Sequence, residues 1–279
     1  MPKEDILKYY NDCFCVYDVV WGLRKYRSVS YGHYDNTHKT HGTAFENANN
    51  IISEKLKINS SDIVLDAGCG AGGSGVQIAK KFGCKVVGIN IVPRYIEEAK
   101  KYASEEEVSG LADFFVRDYN NTNFTDETFT VIWGGDSFCH ADSKPVLLSE
   151  MYSVSKKGGG IAVSDIFIKK NSLSKKKERL AQRAANGWAV PFYSQINEFK
   201  KELELAGFKK ISFEENTKNM MPSISRLFRG FLLFYPRERF LYFLGKKSIT
   251  ELNNIKSVLY HYLCFRMAIF MHGTFYAEK

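Results

Sequence analysis

Residues 63–75, I-V-L-D-A-G-C-G-A-G-G-S-G, combine one carboxylate with a cluster of glycines. The apolar run 63–65 follows a polar, turn-forming stretch and predicts a short buried strand of a parallel sheet. The glycines let the backbone pass close to a ligand, and the helix predicted after them points its amide end to the same place. This arrangement predicts a cofactor site at the tip of the strand.

The position of Asp66 indicates the kind of cofactor. Gly68, Gly70 and Gly73 fit the G-x-G-x-x-G spacing of dinucleotide sites, so the glycines alone do not discriminate. A carboxylate at the strand tip would repel a pyrophosphate, whereas it could hold the ammonium of an amino-acid moiety, directly or through water. We therefore expect a cofactor with an amino-acid portion. The alternative is an aspartate that caps a tight turn.

A second stretch that could do chemistry is 134–142, G-G-D-S-F-C-H-A-D, which follows the apolar run 129–133. Neighbouring strand tips of an open parallel sheet face one crevice, so side chains here would meet both cofactor and substrate. Asp136 and His140 are four residues apart and would share one face of a short helix. Histidine titrates near neutrality and could accept a proton from a reacting group. A structural histidine that caps a helix is the alternative.

The rest of the chain predicts the α/β elements that would position these residues. A helix at 194–207 begins with Ser194 as its cap and ends at Gly207. Expected strands lie at 63–66, 85–90, 114–119, 129–133, 161–167, 208–214 and 270–279, and further helices at 40–58, 74–82, from Pro93, and at 144–155.

The run D-A-G-C-G-A-G-G resembles motif I of class I S-adenosylmethionine-dependent methyltransferases, and the similarity extends along most of the chain. Within that superfamily the sequence looks most like the small-molecule branch with sterol, tocopherol and phosphoethanolamine methyltransferases. The resemblance implies an α/β fold with a Rossmann-like, doubly wound seven-stranded sheet whose last strand is antiparallel. It also implies S-adenosylmethionine as cofactor, S-adenosylhomocysteine as product, and no metal.

The resemblance assigns cofactor-binding roles along the strand tips. The family has an acidic residue at the place of Asp118 that accepts the adenine amino group, and the next residue, Tyr119, packs on the ring; a surface aspartate in a turn is the alternative. Asn90 stands where a carboxylate usually holds the ribose, and an amide can both donate and accept there. The expected cofactor-binding residues are Asp66, Gly68, Cys69, Gly70, Asn90, Ile91, Asp118, Tyr119, Gly134 and Tyr31.

Catalytic roles are implied by the same resemblance. The segment 134–142 is similar to E-A-T-C-H-A-P of sterol methyltransferases and to R-D-A-I-L-H of phosphoethanolamine methyltransferases. By that match His140 falls on the active-site histidine of the family, and Asp136 on an acidic position near the transferring methyl. Gly135 stands where the phosphobase enzymes carry a phosphate-binding arginine, which argues against a phosphobase substrate.

The N-terminal segment resembles a lid over the cofactor. Residues 31–35, Y-G-H-Y-D, are similar to a segment that precedes motif I in this branch. Tyr10 resembles the tyrosine that pairs with the active-site histidine in phosphobase enzymes and is the third catalytic residue that we expect. The alignment needs a one-residue gap, so Tyr9 and Tyr17 stay as alternatives, and plain core packing is the alternative to a lid.

These comparisons divide the chain into an N-terminal helical lid (1–58), a methyltransferase core (59–218), a basic aromatic cap insertion (219–264) and the final strand of the core (265–279). The insertion mixes phenylalanine and tyrosine with arginine and lysine. Such a segment can close over an apolar substrate or rest on an anionic bilayer. An oligomer contact or a satellite core remains open.

Composition narrows the setting. The 279 residues are 44% hydrophobic with a net charge of +8, which suits a globular protein with a lysine-rich surface or with an anionic partner. The six cysteines include no C-x-x-C pair, so we expect a reducing, cytoplasmic setting without a metal site or disulfide framework. No apolar signal core or membrane span is visible in the sequence.

We therefore expect methyl transfer to a small, lipophilic, prenyl- or sterol-like acceptor, with His140 as general base. A polar amine or phenol is the rival acceptor. A nucleic-acid substrate is disfavoured because G-G-D-S stands where base methyltransferases carry N-P-P-Y or D-P-P-Y. A non-catalytic cofactor-binding protein is the remaining alternative, and the oligomeric state is left open.

Overall fold

The centre of the molecule is a single sheet of seven strands. In the computed structural model, which describes residues 3–169 and 172–279, the strands are β1 (Ile63–Ala67), β2 (Lys85–Asn90), β3 (Ala112–Val116), β4 (Phe129–Gly135), β5 (Ser155–Ile168), β6 (Lys209–Glu215) and β7 (Phe270–Glu278). Their order is β3-β2-β1-β4-β5-β7-β6. Strands β1 to β5 pair in parallel, and β7 is antiparallel to both β5 and β6. The predicted seven-stranded Rossmann-like fold is confirmed.

Helices cover both faces of the sheet and extend beyond one end. They are α1 (Lys3–Asp12), α2 (Phe14–Val16), α3 (Leu23–Tyr26), α4 (His41–Lys55), α5 (Gly73–Phe82), α6 (Pro93–Glu105), α7 (Lys144–Val154), α8 (Lys175–Gly187), α9 (Ile196–Ala206), α10 (Thr217–Phe243) and α11 (Ile249–Arg266). A π-helical turn, Tyr17–Trp21, and a 3₁₀ turn, Phe138–His140, complete the described helical structure.

Local signals set several helix ends. Pro93 occupies the first position of α6, where its missing N–H costs no helical hydrogen bond. Gly207 ends α9 in the left-handed conformation, with φ of 108°, as the sequence predicts. The predicted serine cap of α9 is wrong: the cap position is Gln195, without a side-chain cap bond, and the Ser194 hydroxyl is buried without a partner.

Alternation along the strands builds a core on each face of the sheet. Leu65 packs with α7 and α9, whereas its neighbour Val64 packs with α5 and α6 on the other face. A third core lies beyond the sheet, where the N-terminal helices meet α8, α10 and α11. The N-terminal helices therefore pack with α8, α10 and α11 above the carboxyl ends of the parallel strands.

The predicted insertion 219–264 consists mainly of α10 and α11, which pack against each other as a hairpin. Helix α10 continues through Pro222 and Pro236, although each proline removes one backbone donor from the helix. No helix within 3–169 and 172–279 is both long and apolar enough to cross a bilayer. The assignment of a lid and a cap stays a prediction.

Candidate active site

The carboxyl ends of β1, β2 and β4 enclose a crevice of about 250 Å³, called here the strand-tip crevice. The expected cofactor-binding residues that line it are Asp66, Gly68, Cys69, Gly70, Asn90, Ile91, Asp118 and Tyr119. The three expected catalytic residues, Tyr10, Asp136 and His140, line it as well. Residues from five separate parts of the sequence therefore meet at the topological switch point of the sheet.

Glycines shape the floor of the strand-tip crevice. Gly68 and Gly70 have φ of 93° and 53°, in the left-handed region that favours glycine. A Cβ on Gly68 would collide with the side chain of Ser137, so this turn tolerates no larger residue. A Cβ on Gly70 would meet no atom within 4 Å, because this glycine borders open space. The backbone here can approach a ligand closely.

Asp66 places a buried carboxyl group beside this floor. It is 3% exposed, and its Oδ2 atom has no hydrogen-bond partner. Burial raises the pKa of Asp66 to about 7, although the Gly75 amide opposes the shift. A cationic ligand group beside Oδ2 would favour the ionised carboxylate and satisfy the unpaired oxygen.

Further along the strand tips, polar groups are held by short local bonds. Asn90 Oδ1 accepts from the Val92 amide at 2.9 Å, so the side-chain NH₂ is the group that can donate to a ligand. Asp118 Oδ1 accepts from the backbone and side chain of Asn120 at 2.9 and 3.0 Å. The hydroxyl of Tyr119 donates to the Ser137 carbonyl at 3.3 Å, which fixes the ring beside the crevice.

Tyr10 and His140 meet across the mouth of the strand-tip crevice. Tyr10 Oη lies 2.8 Å from His140 Nε2, and His140 Nδ1 lies 3.1 Å from the Ala189 carbonyl oxygen. A carbonyl only accepts, so Nδ1 carries the proton and Nε2 accepts from the Tyr10 hydroxyl. Tyr9 and Tyr17 instead bond to each other at 2.8 Å. The structure thus brings Tyr10, and neither alternative, to His140.

The surroundings of His140 favour a neutral ring. Burial lowers its pKa to about 4, the Ala189 carbonyl opposes that shift, and the Lys144 ammonium adds to it. At neutral pH the imidazole is therefore an uncharged acceptor. Its fixed tautomer directs the Nε2 lone pair to the position that the Tyr10 hydroxyl now occupies.

Asp136 connects the N-terminal segment to the last strand. Its Oδ2 atom accepts from the Tyr31 amide at 3.1 Å, and its Oδ1 atom lies 3.1 Å from His272 Nε2. The residue has φ of 49°, and its own amide donates to the Ser164 carbonyl at 2.7 Å. The carboxylate is thus held at the end of β4, between the crevice and β7.

Gly134 and Tyr31 do not line the strand-tip crevice. A Cβ on Gly134 would lie 2.7 Å from the Phe138 ring, so this glycine makes room for Phe138. The neighbouring Gly135 lines the crevice, because successive strand residues face opposite sides of the sheet. Tyr31 lines a second, smaller cavity behind His140.

This second cavity, called here the inner cavity, has a volume of about 50 Å³. Tyr10, Asp136 and His140 belong to the walls of both the inner cavity and the strand-tip crevice. Aromatic rings form most of the remaining wall, and they belong to Tyr17, Trp21, Tyr31, Trp188 and Tyr193. A small acceptor bound in the inner cavity would face the crevice across His140.

The sequence of this region matches a known family. Residues 64–159 match the family described as a methyltransferase domain. The likeness to methyltransferases lies in this segment. The segment runs from β1 into β5 and contains Asp66, Asn90, Asp118 and His140.

The chain is also similar to individual proteins. The chain is 29% identical over 222 residues to the sterol 24-C-methyltransferase of Saccharomyces cerevisiae, which covers 78% of this chain and 58% of that protein. It therefore spans less than two thirds of the length of this relative. It is 25% identical over 228 residues to a sarcosine/dimethylglycine N-methyltransferase of Halorhodospira halochloris, which covers 81% and 80% of the two chains.

A solved structure shows the same fold. The cyclase SpnF superposes with a TM-score of 0.81 at 16% identity and covers 98% of this chain and 94% of that chain. At this identity the likeness concerns the fold alone. A cyclase on the same fold also means that the architecture does not by itself establish methyl transfer.

Sequence reasoning missed two residues, Lys144 and Asp165, that hold the 3₁₀ turn containing His140. Lys144 Nζ donates to the carbonyls of Cys139 and Ala141, at 3.2 and 2.5 Å, on either side of the histidine. Asp165 Oδ2, from β5, accepts from the Cys139 amide at 2.8 Å. Burial lowers the pKa of Lys144 and raises that of Asp165 to about 6. Lys144 follows Ser143 at the start of α7, and nothing in the neighbouring sequence indicates that its ammonium binds the turn of His140.

Proposed function

We propose that this protein transfers the methyl group of S-adenosylmethionine to a small lipophilic acceptor, with His140 as the group that takes the released proton. The observation that carries the proposal is the position of the Tyr10–His140 pair in the wall shared by the strand-tip crevice and the inner cavity. Cofactor and acceptor would then meet beside this pair of titratable groups.

The residues of the strand-tip crevice fit the cofactor. The unpaired Oδ2 of Asp66 suits the ammonium of the methionine portion, and the open backbone at Gly70 leaves room beside it. The Asn90 NH₂ can donate to a ribose hydroxyl, while Asp118 and Tyr119 would meet the adenine. S-adenosylmethionine supplies a methyl group on a positively charged sulfur. Since this donor is already activated, the protein contributes mostly alignment and the exclusion of water.

The low pKa of His140 favours a carbon or oxygen acceptor. With a pKa of about 4, the neutral ring is a weak base, so it takes protons readily only from strong acids. An alkyl cation or a protonated ether is such an acid. An alkylammonium, with a pKa of roughly 10, is not. The yeast sterol methyltransferase relative also points to a lipophilic acceptor.

A polar amine acceptor is the second candidate, and one observation favours it. Asp136 and Asp165 both border the inner cavity among aromatic rings, and such surroundings attract cations. The similarity to a sarcosine/dimethylglycine N-methyltransferase points the same way. Against it, Asp136 is already bonded to His272 and to the Tyr31 amide, and Asp165 to two amides.

Membrane contact through the α10–α11 hairpin is part of the proposal, because a lipophilic acceptor would be drawn from a bilayer. Phe240 and Phe243 are 61% and 83% exposed. Exposed basic residues, Arg239 and Lys246, lie among them near the hairpin tip. Apolar side chains beside cations suit the surface of an anionic membrane.

The test is methyl transfer from labelled S-adenosylmethionine into an extract of the source organism, separated into organic-soluble, small polar and macromolecular fractions. We expect label in the organic fraction, and its loss by about 10²- to 10⁴-fold in His140→Ala. S-adenosylhomocysteine should bind wild type and His140→Ala equally. Label in the small polar fraction would support the amine candidate. Cofactor binding with transfer that is indifferent to His140→Ala would contradict the role of His140.

A further inference from the structure

A third cavity lies outside the strand-tip crevice, between the N-terminal π-helical turn, α10 and α11. This outer cavity has a volume of about 270 Å³, close to the lower end of the range of roughly 300–1,000 Å³ for small-molecule sites. Its wall is mainly hydrocarbon, including Val20, Leu227, Ile255 and Val258. An apolar cavity of this size excludes ordered water and accepts apolar ligands.

The charged groups of the outer cavity are paired with one another. Glu238, 8% exposed, lies 2.9 Å from Arg237 and 3.6 Å from Lys247, and Lys247 also lies 2.6 Å from Glu251. The one polar wall residue deeper inside, Asn254, donates to the Tyr9 hydroxyl. The paired charges at the rim leave the interior suited to an uncharged ligand body.

Trp21 separates the outer cavity from the inner cavity. It is 4% exposed and belongs to the walls of both cavities. Its indole ring packs on the rings of Tyr31 and Trp188, with centroids 5.5 and 5.9 Å away. The three cavities therefore follow one another. Trp21 lies between the outer and the inner cavity, and the Tyr10–His140 pair lies between the inner cavity and the strand-tip crevice.

We infer that the outer cavity binds the hydrocarbon body of the acceptor, with Trp21 as the contact between this body and the reacting end near His140. The inference rests on the proposed function and specifies its substrate class: an elongated acceptor with an uncharged, prenyl-like chain longer than the inner cavity can hold. The inner cavity, at about 50 Å³, is too small for such a chain, whereas the outer cavity is about five times larger.

Gly230 offers a way to fill the outer cavity without disturbing the fold. It lies in α10, lines the cavity, and a Cβ added there would meet no atom within 4 Å. Leucine is also a better helix former than glycine. Leu233, on the exposed side of the same helix, gives a matched control in Leu233→Phe.

The experiment measures binding of farnesol, a fifteen-carbon prenyl alcohol, by titration calorimetry. We expect wild type and Leu233→Phe to bind it within twofold of each other, Gly230→Ala to bind more weakly, and Gly230→Leu at least tenfold more weakly. The inference would be overturned if wild type did not bind farnesol, or if Gly230→Leu bound farnesol as tightly as wild type does. The affinity for S-adenosylhomocysteine is measured in the same variants. If the protein bound farnesol as expected but did not bind the cofactor product, only the proposed function would be contradicted.

Tryptophan fluorescence tests the contact at Trp21. Farnesol should shift the emission of wild type and of Trp133→Phe, because Trp133 lines the strand-tip crevice and not the outer cavity. The shift should be lost in Trp21→Phe. A shift that persists in Trp21→Phe would place the probe elsewhere and overturn the role of Trp21.

Discussion

The Tyr10 hydroxyl and His140 Nε2 lie 2.8 Å apart although 130 residues separate them in the chain. The bond ties α1 to the end of β4 and covers the crevice between them. In this arrangement the Nε2 lone pair of His140 is occupied. Under the proposed function, the acceptor proton would therefore reach His140 either through the Tyr10 hydroxyl or after that hydroxyl moves. Tyr10 therefore covers the crevice and also lies next to the proposed proton acceptor.

Tyr10→Phe should lower kcat/KM for methyl transfer by about three- to tenfold, because one hydrogen bond contributes about 0.5–1.5 kcal/mol. The matched control is Tyr9→Phe. It removes the 2.8 Å bond to Tyr17 at a residue that lines neither the strand-tip crevice nor the inner cavity, and should cost stability but little activity. Comparison of kcat/KM and of the urea midpoint in both variants checks this. Equal activity losses in the two variants would mean that Tyr10 acts only through packing.

The pH profile of methyl transfer should reflect the lowered pKa of His140. Under the proposed function the neutral ring is the active form, and burial lowers its pKa to about 4. With S-adenosylmethionine kept saturating at every pH, kcat/KM for the acceptor should therefore stay level from pH 8 to 5 and fall as the pH drops through about 4. The measurement is kcat/KM with circular dichroism at each pH, to limit the profile to folded protein. A fall centred near 6.5 would show an ordinary, solvated histidine instead.

The sequence predicts well those features that residues adjacent in the chain determine. The strand 63–67 and the glycines after it are specified by adjacent residues, and the alternating pattern predicts the order of elements. The Tyr10–His140 pairing came from resemblance, since no local pattern links positions so far apart.

The partners that fix His140 could not be predicted. The Ala189 carbonyl and the Lys144 ammonium act through tertiary position, and a backbone carbonyl has no sequence signal at all. Gly134 was expected in the crevice, but a shift of one residue along a strand reverses the side that it faces. The place of Trp21 between two cavities depends on the packing of three helical segments.

Asp66 predicts a pH-dependent cofactor affinity. Burial raises its pKa to about 7, above its ordinary value of 3.8, so below pH 7 it must lose a proton before it can pair with an ammonium. S-adenosylhomocysteine affinity should therefore fall about tenfold for each pH unit below 7 and level off above it. Asp66→Asn should bind weakly with a flat profile. Calorimetry between pH 5.5 and 8.5 measures both.

The thermal stability of the unliganded protein provides an independent check on the raised pKa of Asp66. Because its pKa is raised in the folded state, the residue destabilises the unliganded protein increasingly as pH rises from about 4 to 7. Asp66→Asn should consequently unfold at a higher temperature than wild type at pH 8, with a smaller difference at pH 4. A lower Tm at pH 8 would show that the carboxylate is already well paired.

The hydrogen bonds of Asp136 predict how firmly the N-terminal segment is held near Tyr31. Its Oδ2 atom accepts from the Tyr31 amide and its Oδ1 atom pairs with His272, so Asp136→Ala removes the bond that fixes the backbone at Tyr31. Amide exchange of residues 28–34 should then accelerate about tenfold, in keeping with the loss of one bond to a charged group. Asp136→Asn, which retains an acceptor oxygen and tolerates φ of 49°, should exchange at nearly the wild-type rate. Unchanged exchange in Asp136→Ala would mean that the packing of Tyr31 against His272, with ring centroids 5.4 Å apart, is sufficient to hold this segment.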